Sequence, residues 1–330
     1  MRQQQIRENV FSVILAHYEQ PAYWRQAVDS VCMQTYPNIQ LIFADDGSKA
    51  FCPQEVEEYV YRQERRGLEL LIVTSWHNTG TVRSLNRAAR LISGKYLAFL
   101  AADDVFCDVH VLSSYARELK KEAAKDVAGI YGRSFLCDQS LSKTGLEYVD
   151  PEEAFYCNTL DYRGQFAKLS EKCFFPIGAA AFDTERLLRF FPLDTHYRLI
   201  EDWPLFLKIN HAKMRMLFCD IPVLLHRAGG VSDAACPVKS SRIQCDCDHL
   251  LFHEREIWPY VRQLDRIELA KFVRRYCKDR SQMHEAAAKM QLKPKWRLML
   301  YDRRSRAYFH EQEKYTGGCA DDKEYRNGGF

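Results

Sequence analysis

Short apolar runs alternate with amphipathic stretches through the first hundred residues. Val10 to Tyr18 (VFSVILAHY), Gln40 to Ala44 (QLIFA), Leu68 to Ser75 (LELLIVTS) and Tyr96 to Ala102 (YLAFLAA) are rich in β-branched and aromatic residues. Such runs predict strands buried on both faces of a parallel sheet. Helical spacing fills the intervals. Pro21 suits the first turn of a helix that carries Ala27, Val28, Val31 and Cys32 and stops at Tyr36-Pro37. Pro53 opens a charged helix to about Arg66, and a fourth pattern from Val82 to Ile92 ends at Ser93-Gly94. Strand and helix alternating through short connections predict an α/β fold with a mostly parallel sheet.

Downstream the pattern is more varied. Asp108 is placed to cap a helix through about Ala124. Val127 to Arg133 reads as a strand and Phe135 to Tyr148 as a hairpin, while Glu152 to Leu169 is helix or mobile loop. Cys173 to Phe182 (CFFPIGAAAF) is either core strand and turn or a segment offering Phe174 and Phe175 to a ligand. Pro204 marks the first turn of a helix opened by Glu201 or Asp202. Met214 to Cys219 and Ile221 to Leu225 read as two strands, followed by His226 and a Gly-rich turn to Ser232.

The chemistry gathers at strand ends. Gln40 to Ala44 runs into Asp45-Asp46-Gly47-Ser48, and Tyr96 to Ala102 into Asp103-Asp104. Carboxyl ends of strands are where open α/β sheets bind ligands. Adjacent carboxylates repel, so Asp103-Asp104 is either a polar turn or a cation site. No G-x-G-x-x-G follows the first strand, and there is no Walker A sequence. A divalent ion on carboxylates is then the available way to handle phosphate. A carboxylate at the start of the Asp202 helix is either a structural cap or a base kept ionised by the helix N–H groups.

Composition narrows the class. With 47% hydrophobic and 28% charged residues the chain is globular, and no apolar run is long enough to span a bilayer. A polar start, Met1-Arg2-Gln3-Gln4-Gln5, and twelve scattered cysteines predict free thiols and a cytoplasmic location. Net charge is +3, but residues 239–315 carry 18 Lys+Arg against 11 Asp+Glu. That excess leaves the first 238 residues mildly acidic, which argues against nucleic acid as a partner. The basic helices at 239–315 would either pack on the catalytic domain or dock peripherally on an anionic membrane; a flexible tail is expected over 316–330. Cys245, Cys247, His249 and His253 are zinc-ligand types at an unusual spacing.

Five segments in register resemble the family 2 inverting glycosyltransferases of GT-A fold. They are Ser12-Val13-Ile14-Leu15-Ala16-His17-Tyr18-Glu19, Ser30 to Tyr36, Ala44 to Ser48, His77 to Gly80 leading through Asn86 to Asp103-Asp104, and Glu201 to Lys208. The likeness covers residues 10–232, within a GT-A domain over 1–238. It implies a nucleotide-diphosphate sugar donor, UDP favoured, and a glycan or lipid-linked acceptor, as in surface polysaccharide synthesis. Ala16, Tyr18 and Asp46 would line the nucleotide pocket, Asp103 would face the ribose and diphosphate, and Asp104 would hold Mn2+ or Mg2+. Asp202 would be the general base, with Arg83 and His226 as diphosphate contacts. Ala101 replaces the first acid of the common D-x-D-D, and Ala16-His17 replaces Pro-Thr. Two other classes compete. Sugar-phosphate nucleotidyl transfer would want a Gly- and basic-rich loop where His17-Tyr18-Glu19-Gln20 stands, and a non-catalytic sugar-nucleotide sensor would not need both Asp104 and Asp202.

Overall fold

The computed structural model describes residues 5–122, 126–229 and 240–289. The expected turn beyond Gly229 to Ser232, the end of the basic region and the tail at 316–330 lie outside them. The chain divides into two compact units, Met1–Cys236 and Pro237–Phe330.

The described residues of the first unit form a nine-stranded sheet. Four parallel strands form one half: β1 (Arg7–His17), β2 (Ile39–Asp45), β3 (Leu68–Val73) and β4 (Gly94–Ala101). β1 is central, pairing β2 with His17 opposite Asp45 and β4 with Ala16 opposite Ala101, so three strand tips align. Phe11, Val13, Leu15, Leu41 and Phe43 are fully buried, which is why these runs are mostly apolar. Two polar residues in them satisfy each other: Ser12 Oγ donates to Gln40 Oε1 at 2.7 Å.

The remaining strands make the sheet mixed. β5 (Val105–Phe106), β6 (Val127–Cys137), β7 (Lys143–Glu147), β8 (Ala180–Asp183) and β9 (Arg215–Arg227) complete the order β3-β2-β1-β4-β8-β6-β9-β5, with β7 on β6. β8 runs antiparallel to β4 and β6, and β6 is parallel to β9. The two strands expected around Cys219 are one, since the ladder passes Pro222 with a register irregularity.

Helices α1 (Trp24–Cys32), α2 (Pro53–Tyr61), α3 (Thr81–Ala88) and α4 (Val111–Lys121) follow the first strands. α1 starts after Pro21, and α2 stops short of Arg66. Asp108 accepts from His110 N at 2.7 Å, so it orders the turn ahead of α4 and does not cap the helix. The segment left between helix and loop is two helices, α5 (Pro151–Thr159) and α6 (Tyr162–Glu171), capped by Asp150 and Asp161. α7 (Thr184–Leu188) and α8 (Asp202–His211) precede β9. Phe174 and Phe175 are buried against Tyr131 and Phe206, so they are core and offer no face to a ligand.

The second unit has α9 (Ser240–Phe252), a π turn, a 3-10 turn and α10 (Arg266–Lys289). Asp265 and Glu268 exchange backbone–carboxylate bonds as a capping box at the start of α10. Phe252, Trp258, Phe272 and Tyr276 form its interior. His253 Nε2 meets Asp279 Oδ2 at 3.2 Å, and Arg275 donates to the same oxygen at 2.8 Å. Among the described residues no helix is long and apolar enough to cross a membrane.

Candidate active site

Three strand tips meet at the carboxyl edge of the parallel half. Ala102 N donates to Ala16 O and Asp46 N to His17 O, so the residue following β2 and the acids following β4 sit beside the end of β1. Tyr18, one residue beyond β1, is 44% exposed, leaving a ring face open to a flat partner.

Asp45 and Asp46 hold the loops. Asp45 takes His17 Nδ1 at 2.8 Å, Ser48 Oγ at 2.6 Å and the backbone N–H groups of Gly47 and Ser48. Asp46 is buried, and its carboxylate accepts from Thr79 N, Thr79 Oγ1, Gly80 N and Arg87 Nη2 at 2.6–3.0 Å. Those donors fill both lone pairs of both oxygens. A base N–H could be accepted there only by sharing or displacing one of them. The β3–α3 loop is thereby tied to β2, and Gly80 (φ +91°) makes the turn into α3. A Cβ at Gly80 would lie 2.4 Å from Arg198.

Asp103, Asp104 and His226 come together across the sheet. Asp104 is buried; its Oδ2 lies 2.9 Å from His226 Nδ1 and its Oδ1 accepts from Arg227 N at 2.9 Å. Arg227 Nε donates to the Asp103 carbonyl, Nη2 donates to Gln26 Oε1, and its guanidinium lies 4.3 Å over the Tyr23 ring. Burial, and then the charge of Asp104, push the Asp103 carboxyl above the usual carboxylate range. A cation would offset both effects. Carboxylate oxygens suit Mn2+ or Mg2+, and one acceptor direction on each Asp104 oxygen is left. Gly178 keeps its backbone near, since a Cβ there would stand 4.0 Å from Asp104 Oδ2. Among the described residues no three His, Cys, Asp or Glu groups converge as a closed metal cage. Phosphate oxygens and water would have to complete such a shell, which is the usual way Mg2+ is held. The same finding gives Cys245, Cys247, His249 and His253 no zinc cluster.

Asp202 stands apart from this trio, at the first residue of α8. Its Oδ1 accepts from Trp203 N at 2.7 Å and its Oδ2 from the Cys173 thiol at 3.3 Å. It keeps some surface, yet desolvation of the carboxyl prevails over both hydrogen bonds and raises its pKa. The N–H group of Trp203 does favour the carboxylate, as a helix start should, and burial works against it. Arg83 is exposed on α3. On α3 it is Arg87, one turn later, that reaches a strand-tip acid, at 2.8 Å from Asp46. Arg87, Arg227 and Cys173 went unnoticed in the sequence. Only Arg227, adjacent to His226 on the same strand, carried a local signal.

The comparisons with known proteins bear on the family and the fold. The family model described as Glycosyl transferase family 2 matches residues 12–187, more than half of the 330 residues. An uncharacterized glycosyltransferase of Rickettsia felis is 29% identical over 150 residues, covering 46% of this chain and 23% of that protein. One of Rickettsia prowazekii is 29% identical over 164 residues, 48% of this chain and 46% of that one. The chain thus spans less than half the length of these relatives. Among solved structures, S. aureus TarS 1-349 in complex with UDP-GlcNAc superposes with TM-score 0.53 at 16% identity, covering 81% of this chain and 72% of that one. The mannosyltransferase PcManGT of Pyrobaculum calidifontis, in complex with GDP-Man and Mn2+, gives 0.51 at 18% identity, 93% and 86% covered. These likenesses concern the fold, which is GT-A. The family match runs through the strands that bring Asp46, Asp103 and Asp104 to one edge, and the chain belongs to glycosyl transferase family 2.

Proposed function

We propose that the chain is a metal-dependent inverting glycosyltransferase that moves a hexosyl or N-acetylhexosaminyl group from a nucleotide-diphosphate sugar to a hydroxyl. The observation that carries this reading is Asp104 buried beside Asp103 and bonded to His226 at 2.9 Å, a carboxylate cluster that a cation would relieve. Asp104 would hold Mn2+ or Mg2+, with Asp103 on the ribose side and His226, bonded to Asp104, toward the diphosphate. Bound there, the ion would neutralise the departing diphosphate, so no general acid is needed. Ala16 and the exposed Tyr18 ring bind the base, and Asp46 shapes that pocket through the loop it anchors. Arg83, solvent-facing on α3, is free to turn toward the diphosphate. Asp202 takes the proton of the acceptor hydroxyl during in-line attack on the anomeric carbon, and one base suffices for inversion.

UDP-sugars are favoured as donors; the TarS complex holds UDP-GlcNAc and the Pyrobaculum enzyme GDP-Man, which makes these the two probes to try first. The acceptor is a glycan or lipid-linked sugar of a surface polysaccharide. Exposed Arg255, Arg262, Arg266, Lys271, Arg274 and Lys278 on the second unit supply charge for peripheral contact with an anionic membrane on its cytoplasmic side.

Thermal shift with UDP-GlcNAc and GDP-Man, each with and without Mn2+, tests the pocket. One donor should stabilise the protein in a metal-dependent way, and Asp104→Ala should abolish that shift. Asp202→Asn should keep the shift while losing at least about 100-fold in nucleotide release. Metal-independent binding of both donors would overturn the reading of the acids.

A further inference from the structure

We propose that Cys173 is a positioning residue for Asp202: its thiol, donating to Oδ2, fixes the orientation and basicity of the carboxylate that accepts the acceptor proton. This deepens the glycosyltransferase reading and rests on Asp202 being the base. The mechanism sketched above leaves Cys173 unused, yet it is the side chain that touches the reacting carboxylate.

The geometry is specific. Asp202 Oδ1 is committed to Trp203 N at 2.7 Å within its own helix, so that oxygen is fixed by the backbone. The other oxygen, Oδ2, has the Cys173 sulfur at 3.3 Å as its donor. Cys173 lies just beyond α6, and its sulfur is also 3.7 Å from the Phe175 carbonyl. The thiol is thereby shared between a carbonyl and the carboxylate, just beyond the helix that packs against α8. Burial and the neighbouring Asp202 charge push the Cys173 thiol well up, so at neutral pH it stays an S–H donor and adds no negative charge beside the base.

Among the described residues no charged side chain of α6, α8 or β9, Glu171, Lys208, His226 and Arg227 included, bonds to Asp202. On α6 and its end, Lys168 and Lys172 both bind Glu153, at 2.9 and 3.0 Å. On β9, Arg215 pairs with Asp126 and Asp220 with Arg133. Glu201 precedes Asp202 and adds a like charge near the thiol. A neutral, polarisable donor is therefore what partly offsets desolvation at Oδ2. A thiol is weaker than a hydroxyl. Losing it should favour the protonated acid, and replacing it with a hydroxyl should favour the carboxylate.

The test uses the full chain as wild type, Cys173→Ala and Cys173→Ser, with Asp202→Asn as reference. Selective carboxyl 13C labelling of aspartate, with the Asp202 signal assigned by its loss in Asp202→Asn, follows that carboxyl through pH titration without requiring turnover. The expected midpoints fall in the order Cys173→Ala above wild type above Cys173→Ser, with the alanine displaced by about half a pH unit. In UDP release from UDP-GlcNAc, or GDP release from GDP-Man, with Mn2+, the acid limb of kcat should move in the same order. That is about a three-fold loss for alanine on the limb, with serine restoring the rate and KM for the donor unchanged. Coincident titrations in all three folded proteins overturn the proposal. If instead Asp202→Asn turns over like wild type, the base assignment has failed and takes this proposal with it; if Asp202→Asn is inactive while the three midpoints coincide, only the role of Cys173 has failed.

Discussion

At Asp46, one carboxylate organises a loop that no local signal in the sequence would join to it. Its four donors come from Thr79, Gly80 and Arg87, more than thirty residues away. Asp46→Asn would turn one oxygen into an NH2 group facing donors and leave the Arg87 charge with a weaker partner. We expect a loss of about 2–4 kcal/mol in urea unfolding, with weaker donor binding. Asp46→Ala should be worse on both counts. Asp202 gives a pH-dependent outcome at the same scale. A base whose pKa is raised by burial is protonated at a higher pH than an ordinary aspartate. The acid limb of kcat should therefore lie above about pH 4, and the rate should fall as pH drops through it. The sequence could show which acids end strands, because an apolar run broken by Asp-Asp is a local pattern. It could not show that Asp45 and Asp46 spend their lone pairs on loops, nor that Arg87 and not Arg83 turns inward. Both depend on how α3 rotates against the sheet.

Elements that bury both faces were legible nearly to their ends; those that bury one were legible in kind and less so in extent. β1, β2 and β4 matched their apolar runs within a few residues because a polar group buried there is kept only where it finds a partner, as Ser12 and Gln40 do. α1, α2 and α4 all proved shorter than their patterns, since amphipathic spacing continues into turns that tertiary contacts then shape. The strands around Pro222 fused because a sheet can absorb an irregularity that a sequence reader takes as a stop. At this scale the β3–α3 connection is the sensitive part. Gly80→Ala should place a Cβ against Arg198 at a backbone φ of +91°. The strain, about 1–3 kcal/mol, should show as a lower unfolding midpoint and a weakened donor-induced thermal shift.

The two units of the molecule should answer acid differently. In the second, burial lowers His249 to about 4 and also lowers His253. Although burial opposes it, the His253 bond and Arg275 hold Asp279 below its usual value. All three have folded pKa values under their unfolded ones, so each contributes stability that is present at neutral pH and lost as pH falls. The histidine part begins to go below about 6.5, where the unfolded chain takes up protons first. Hydrogen exchange corrected for intrinsic rates should show amides of Cys245–Arg280 losing protection between pH 7 and 5, by on the order of 1–2 kcal/mol. A flat profile would mean that these histidines stay hydrated.

β9 has a bearing on how the protein is made. The acids that follow β4 wait for partners 122 and 123 residues further along, at His226 and Arg227. During synthesis the first four strands can pair as they emerge, but Asp104 is then a carboxylate without those two donors. The site can take its final form only when the thirteen residues of β9 slot between β6 and β5. Long-range closure of that kind is slow compared with local pairing. A nascent chain released before Arg227 should therefore have the parallel half formed and no ability to hold a nucleotide sugar, so competence arrives as a late, single event.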